Sequence, residues 1–269
     1  MLFQGEKEKM KGYPVQIGKK TWKELEYVRN RGNSYFFNDW LDIILNSLLS
    51  LTENLNEIGI SMDIQKASQG KYNDRYMEIV KNYSEGKIGE RAIDHFQRAF
   101  GFLMEETLES GKDVLGEIFQ AQITYGEHGQ FFTPEHITDV MTAIVGTEKK
   151  DKLGTHSDGN EMGETMMDPC CGSGRFIISS AKQNPDNYFI GQDIDERCCK
   201  MAAINMFMRD LNGEIRLGNS LANKIDKRWI IKRGGFIWED DHPKVFQESE
   251  QIKEESVLKE RTEIQKTLW

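Results

Sequence analysis

The sequence lacks long apolar runs, adjacent prolines and any excess of basic charge, and each absence excludes a class of protein. No apolar stretch approaches the ~18 residues of a membrane-spanning helix, and no leader-like n-region opens the chain, so a soluble, cytoplasmic protein is expected. Only four cysteines are present, as the neighbouring pairs Cys170-Cys171 and Cys198-Cys199. Neither pair has the spacing of a zinc knuckle, so no metal site and no disulfide framework is expected. The formal net charge of -9 argues against strong unaided attachment to a polyanion, because neutralising phosphates supplies most non-specific nucleic-acid affinity. Contact with DNA would need a partner or a local basic patch. The candidate patch is 224–233, where Lys224, Lys227, Arg228, Lys232 and Arg233 surround Trp229; the alternative is a solvated stretch beside a buried Trp.

What is present divides along the chain. Residues 1–12 read as a flexible N-terminus or tag remnant and carry no fold information. Residues 13–125 read as a helical domain, because apolar side chains recur at three- and four-residue steps. Its clearest stretch is 35–51, where Phe36, Phe37, Trp40, Leu41, Ile44, Leu45, Leu48 and Leu49 make a stripe too wide for a solvent-facing helix. A second helix is expected over 88–109, with His95 on its apolar face as a satisfied core histidine rather than a ligand. Residues 126–246 change period. A short apolar approach to Asp168, a glycine-rich turn, a helix over 176–182, a strand over 187–191, a helix over 196–211 and a strand over 214–217 form a β-α-β-α-β succession. A Rossmann-like α/β fold with a shortened parallel sheet is therefore expected. Gly234-Gly235 predicts a hairpin within 229–240. Residues 247–269 read as a charged helix or tail.

The first chemically informative string is Asp168-Pro169-Cys170-Cys171-Gly172-Ser173-Gly174-Arg175-Phe176. Between a strand and a helix, its glycines let the backbone turn tightly and approach a ligand, and the helix start supplies oriented N–H groups. About 25 residues after Asp168 comes Gly191-Gln192-Asp193-Ile194-Asp195; a carboxylate at the end of a second strand can accept both ribose hydroxyls of a nucleoside. Asp193 is the candidate for that role, and Asp195 for the cap of the next helix. Gly218-Asn219-Ser220-Leu221 follows the third strand and alone reads as an ordinary turn, with weight from its order and spacing after the other two strings. Upstream stands Gly129-Gln130-Phe131-Phe132-Thr133-Pro134, preceded by a helix that carries Leu115-Gly116.

Together these strings resemble the N6-adenine DNA methyltransferases, in particular the modification subunit of type I restriction-modification systems. The resemblance covers about residues 113–221. It implies S-adenosylmethionine as cofactor, held by Gly129, Gln130, Phe131, Thr133, Pro134, Asp168, Gly172, Ser173, Gly174, Asp193 and Asn219. By the same resemblance, Thr133 meets the cofactor carboxylate, Pro134 begins a helix, and Asp168 with the glycine loop holds the methionine part. It also implies a separate specificity subunit as partner, and a shortened relative of this kind would suit a phage or other mobile element.

One family feature is missing. Adenine N6 is a poor nucleophile, and these enzymes hold the extracted base with an Asn/Asp-Pro-Pro-Tyr/Phe tetrapeptide. The five prolines, Pro14, Pro134, Pro169, Pro185 and Pro243, include no adjacent two, so no motif order supplies it. Asn184-Pro185-Asp186 falls before the second strand and reads as a turn. No catalytic residue is therefore expected here. The stretch after Leu221 is expected to be too short for the remaining strands plus a DNA-reading domain. Two readings follow: a methyltransferase component completed by another chain, or a catalytically silent protein that binds the cofactor and regulates a partner.

Overall fold

The structure is a computed structural model that describes residues 15–32, 35–58 (backbone alone for 54–58), 70–124, 132–145, 163–241 and 243. The segments 1–12 and 247–269, singled out above, lie outside these residues.

Helices come first in the chain: α1 (Lys19–Arg29), α2 (Phe36–Ile58), α3 (Lys71–Lys81), α4 (Ala92–Ser110) and the short α5 (Val114–Ile118), which runs into a π-helical turn, Phe119–Thr124. All eight apolar residues of the α2 stripe are buried, Trp40 and Leu41 completely. The second expected helix begins at Ala92 rather than at residue 88. Gly86 and Gly89 take positive φ, and the Asp94 carboxylate accepts the N–H groups of Gly89 and Arg91, which fixes the start and leaves Ile88 exposed. His95 is half-buried, stacked on Tyr27 and 2.7 Å from the Glu24 carboxylate, so its polarity is satisfied within the helices.

After α6 (Glu135–Val145) the expected succession appears as β1 (Thr165–Asp168), α7 (Arg175–Gln183), β2 (Tyr188–Asp193), α8 (Glu196–Met208) and β3 (Asn212–Leu217). The three strands are parallel and in chain order, and each connection is long enough to carry a crossover helix. β4 (Lys227–Lys232) and β5 (Phe236–Asp240) form the expected hairpin about Gly234 and Gly235, both at positive φ. The hairpin continues the sheet by pairing β4 antiparallel to β3, so the sheet is mixed, in the order β1-β2-β3-β4-β5. Register places Gly191, Ile215 and Trp229 side by side on the face that meets Ile177 of α7. The other face carries an ion-pair ladder in which Arg216 and Arg228 both reach Glu214, and Arg228 also meets Asp240.

The helices and the sheet share one hydrophobic cluster, running from Trp22 and Trp40 through Leu115 and Phe119 to Ile215, Trp229 and Ile237. Polar links lie inside that seam. The Ile237 N–H donates to the Thr52 hydroxyl at 3.0 Å, and the buried Lys200 ammonium stands 2.6 Å from Asp42 and 3.4 Å from Glu196. No described helix is long and apolar enough to cross a membrane.

The structure corrects the reading of 224–233 as a basic patch. Lys224 pairs with Asp226, Lys227 with Glu239, Arg228 with Asp240 and Arg233 with Asp186, while Lys232 lies over the Trp238 ring. Four of the five charges are thus neutralised locally and Trp229 is buried, so the stretch offers little free positive field.

Burial raises the Asp42 carboxyl above its ordinary value, against the opposing pull of Lys200. Lys200→Met should therefore cost about 3 kcal/mol near neutral pH by leaving a carboxylate unpaired in the seam. A raised carboxyl favours the folded state more as it is protonated, so the deficit in urea unfolding should shrink on acidification through the carboxylate range.

Candidate functional site

β1 ends at Asp168 beside Gly191 of β2, and the chain then turns through 169–174 into α7. Gly172 (φ 53°) and Gly174 (φ 89°) take left-handed conformations that a side chain would strain. Backbone bonds tie the turn to the end of β2: the Cys171 N–H donates to the Gln192 carbonyl and the Gly172 N–H to the Asp193 carboxylate, both at 2.9 Å. The second oxygen of Asp193 accepts the Asp195 N–H at 2.9 Å, while Asp195 caps α8 through the Arg197 N–H, as expected. Asp168 accepts the Cys170 N–H at 3.1 Å, and burial together with the nearby Asp193 charge raises its carboxyl above the usual range.

Phe132 covers the turn from above, and a Cβ on Gly172 would sit 2.9 Å from its ring. Phe132 is in turn stacked on Phe119 of the π-helical turn, with the Arg175 guanidinium 5.4 Å from its centroid. Arg175 also reaches the Thr133 carbonyl, and the Pro134 carbonyl accepts from Ile137 and Thr138, which starts α6. A cavity of about 150 Å³ results, lined by Phe132, Thr133, Asp168, Gly172 and Ser173.

Beneath the turn lies a buried carboxylate that the sequence strings did not single out. Asp113, 1% exposed, accepts from the Gly116 N–H at 2.8 Å, the Asn205 amide at 2.8 Å, the Arg175 guanidinium at 2.9 Å and the Ser173 hydroxyl. Four elements meet on one side chain: α5, the glycine turn, α7 and α8. A Cβ on Gly116 would overlap both the Asp113 carboxylate and the Ser173 hydroxyl, which accounts for the glycine in Leu115-Gly116. The signal in the sequence was an Asp at a helix start three residues before a glycine, and a lone Asn inside the apolar α8.

Of the candidate residues, Thr133, Asp168, Gly172 and Ser173 line one cavity, with Gly174 at the start of α7 and Pro134 at the start of α6. Asp193 joins through its bond to Gly172. The Ser173 hydroxyl is turned inward to Asp113, so its side chain braces the turn. Asn219 does not line that cavity: the Gly218 N–H donates to the Asp193 carbonyl, and the Asn219 side chain accepts the Ala222 N–H at 3.2 Å. Gly129, Gln130 and Phe131 lie outside the described residues.

Comparison with known proteins places this geometry. Residues 110–238 match the model of the N-6 DNA methylases, and that segment contains the glycine turn, Asp193 and Asp113. Over these residues the chain is similar to the N6-adenine DNA methyltransferase family. Among curated relatives, it is 25% identical over 159 residues to the type I restriction enzyme MjaVIII methylase subunit of Methanocaldococcus jannaschii, covering 55% of this chain and 24% of that protein. The MjaIX methylase subunit of the same organism is 22% identical over 164 residues, covering 56% of this chain and 27% of that protein. The chain thus spans about a quarter of the length of these methylase subunits. A solved type I restriction-modification methyltransferase subunit from Streptococcus thermophilus aligns over 76% of this chain and 58% of its own, with a TM-score of 0.40 and 14% identity. Among the described residues no cluster of His, Cys, Asp and Glu could hold a metal ion.

Asp113→Ala should lower the unfolding free energy by about 3–5 kcal/mol, because it leaves a buried guanidinium and three further donors without their acceptor. Asp113→Asn should lose nearly as much, since its amide would face donors. Denaturant titration checks both, and a loss below about 1 kcal/mol would contradict this assignment.

Proposed function

We propose that this chain is the S-adenosylmethionine-binding part of an adenine-N6 DNA methylase, and that the group holding the target base comes from polypeptide outside these 269 residues. The observation that carries the reading is the glycine turn at the carboxyl end of β1, closed by Thr133 and Phe132 on one side and by Asp193 on the other. Ligands of open α/β sheets sit at the carboxyl ends of parallel strands, which is the position of this turn.

The residues suit the cofactor chemically. Gly172 admits close approach because a Cβ there would fill the space under Phe132. Asp168 offers a desolvated carboxylate with an oxygen free of the Cys170 bond, suited to an ammonium group, and the Thr133 hydroxyl suits a carboxylate. Asp193 holds the turn with one oxygen and retains lone pairs for ribose hydroxyls. Asn219, next to the Gly218 that bonds the Asp193 carbonyl, would meet the adenine amino group with its side-chain oxygen. S-adenosylmethionine would supply an electrophilic methyl at this site; the chain's residues bind and orient it. The relatives named as methylase subunits support DNA as the acceptor and further subunits as partners. The paired charges of 224–233 leave DNA contact to such a partner.

A second reading rests on the prolines. With no two adjacent, the chain carries no base-holding tetrapeptide, and alone it would bind cofactor without turnover, as a regulatory relative of the methylases would.

Calorimetric titration of the full chain with S-adenosylmethionine should show one site, weakened about 10–100-fold by Asp193→Ala through loss of charge-assisted bonds. Absence of binding would overturn both readings. Labelled cofactor and DNA should give no transfer with the chain alone; transfer by the chain alone would contradict the missing base-holding group. Affinity should also fall as pH is lowered, beginning above the range of an ordinary aspartate, because the raised Asp168 carboxyl must be ionised to meet a cation. Asp168→Asn should flatten that dependence.

A further inference from the structure

Four side chains from four segments form one column that joins the loop after β1 to the loop after β2. The Arg197 guanidinium lies 5.1 Å from the centroid of the Phe119 ring, Phe119 is stacked on Phe132 at 5.7 Å with 20° between the planes, and the Arg175 guanidinium lies 5.4 Å from the centroid of Phe132. Each cation is also held by a carboxylate, Arg175 by Asp113 at 2.9 Å and Arg197 by Asp195 at 2.7 Å. Arg175 opens the helix that follows the glycine turn, and Arg197 stands in the first turn of α8. Phe132 and Arg175 line the cavity of about 150 Å³, whereas Phe119 and Arg197 are not among its lining residues. Phe119 is 1% exposed, is backed by Phe37 of α2 at 5.7 Å and opens the π-helical turn, a local departure from the α-helix that is frequent at functional positions. Phe132 precedes α6 on a stretch with neither helix nor strand, so its ring is placed by packing rather than by backbone.

We infer, on the proposed cofactor reading, that Phe119 and Arg197 are positioning residues for the ligand of the glycine turn: acting through Phe132 rather than on the ligand itself, they hold that ring over Gly172 and so set how tightly S-adenosylmethionine is retained. A Cβ on Gly172 would meet the Phe132 ring at 2.9 Å, so ring and turn already share one boundary. A Phe132 ring free to swing away would leave that boundary open to water, and binding would then have to order the ring as well as the ligand. Packing against Phe119 removes this freedom in advance. Arg197 fixes Phe119 in turn, because a guanidinium over an aromatic face is attracted to it and Asp195 holds that guanidinium in place. Arg197 has a second route to the site, since the N–H of Asp195 donates to Asp193 at 2.9 Å. The two routes differ in what they predict for paired substitutions.

Calorimetric titration of the full chain and its variants with S-adenosylmethionine tests this. Phe119→Leu keeps an apolar side chain in the core and removes the stack, so affinity should fall about tenfold. Arg197→Met keeps the stem and removes the cation, for a loss of about fivefold, and Arg197→Lys should return affinity to within about twofold of the parent chain. The double variant Phe119→Leu/Arg197→Met should bind within about twofold of Phe119→Leu alone, because both substitutions break one column. In the ligand-free Phe119→Leu chain the Gly172 N–H, bonded to Asp193, should exchange faster while the amides of α3 keep their rates. Unchanged affinity in both Phe119→Leu and Arg197→Met overturns the inference and leaves the cofactor reading standing; absence of binding by the parent chain removes both. Losses that multiply to about fiftyfold in the double variant would assign Arg197 to the Asp195 route and overturn its place in the column. Should Phe119→Leu fail to fold, the Arg197 variants decide: equal affinity of Arg197→Met and the parent chain, or no recovery in Arg197→Lys, overturns it.

Discussion

The buried Asp113 carboxylate is the constraint on which the rest of the site depends. A charge removed from water is costly unless its lone pairs are filled, and here four donors from separate elements fill them. Because each donor belongs to a different segment, satisfying the charge fixes where those segments lie. The glycine turn cannot shift without exposing Arg175 and Ser173, and α8 cannot slide without stranding Asn205. A flexible loop thereby becomes a shaped surface before any ligand arrives, which lowers the ordering cost of binding. The helical N-terminal part is not an appendage in this arrangement. It provides the carboxylate, and through Phe119 it supports the ring that covers the turn.

Much of this was legible in the sequence, and the reasons are local. The α2 stripe, the β-α-β-α-β succession, the Gly234-Gly235 hairpin and the Asp195 cap all follow from short-range periodicity, turn chemistry and capping. The loop strings located Thr133, Asp168 and Gly172, which the fold brings to one cavity from positions far apart in the chain. What was not legible depends on tertiary contact. Asp113 looked like an ordinary helix start, because nothing adjacent in sequence reveals Ser173, Arg175 and Asn205 as its partners. The 224–233 segment looked basic, because apart from Asp226 its carboxylate partners come from Asp186, Glu239 and Asp240, and strand pairing rather than proximity in sequence delivers the last two.

The division of labour that emerges is physical. Net negative charge and locally paired basic residues leave the chain poorly equipped to hold DNA by itself, while the proposed reading assigns the turn at the end of β1 to a small charged nucleoside. On the proposed reading, a chain similar to the methylases, with a cofactor turn and no base-holding tetrapeptide, is coherent as one part of a larger machine. On that reading its contribution is a pre-shaped pocket, and the acceptor's geometry is set elsewhere.

Amide hydrogen exchange with and without S-adenosylmethionine tests this account most directly, because it reports on each segment of the pocket separately. The account predicts slowed exchange in 170–174, around Thr133 and at 193–195, with little change in α1 and α3. Uniform exchange across those three segments in saturating cofactor, or protection confined to a different part of the chain, would contradict it.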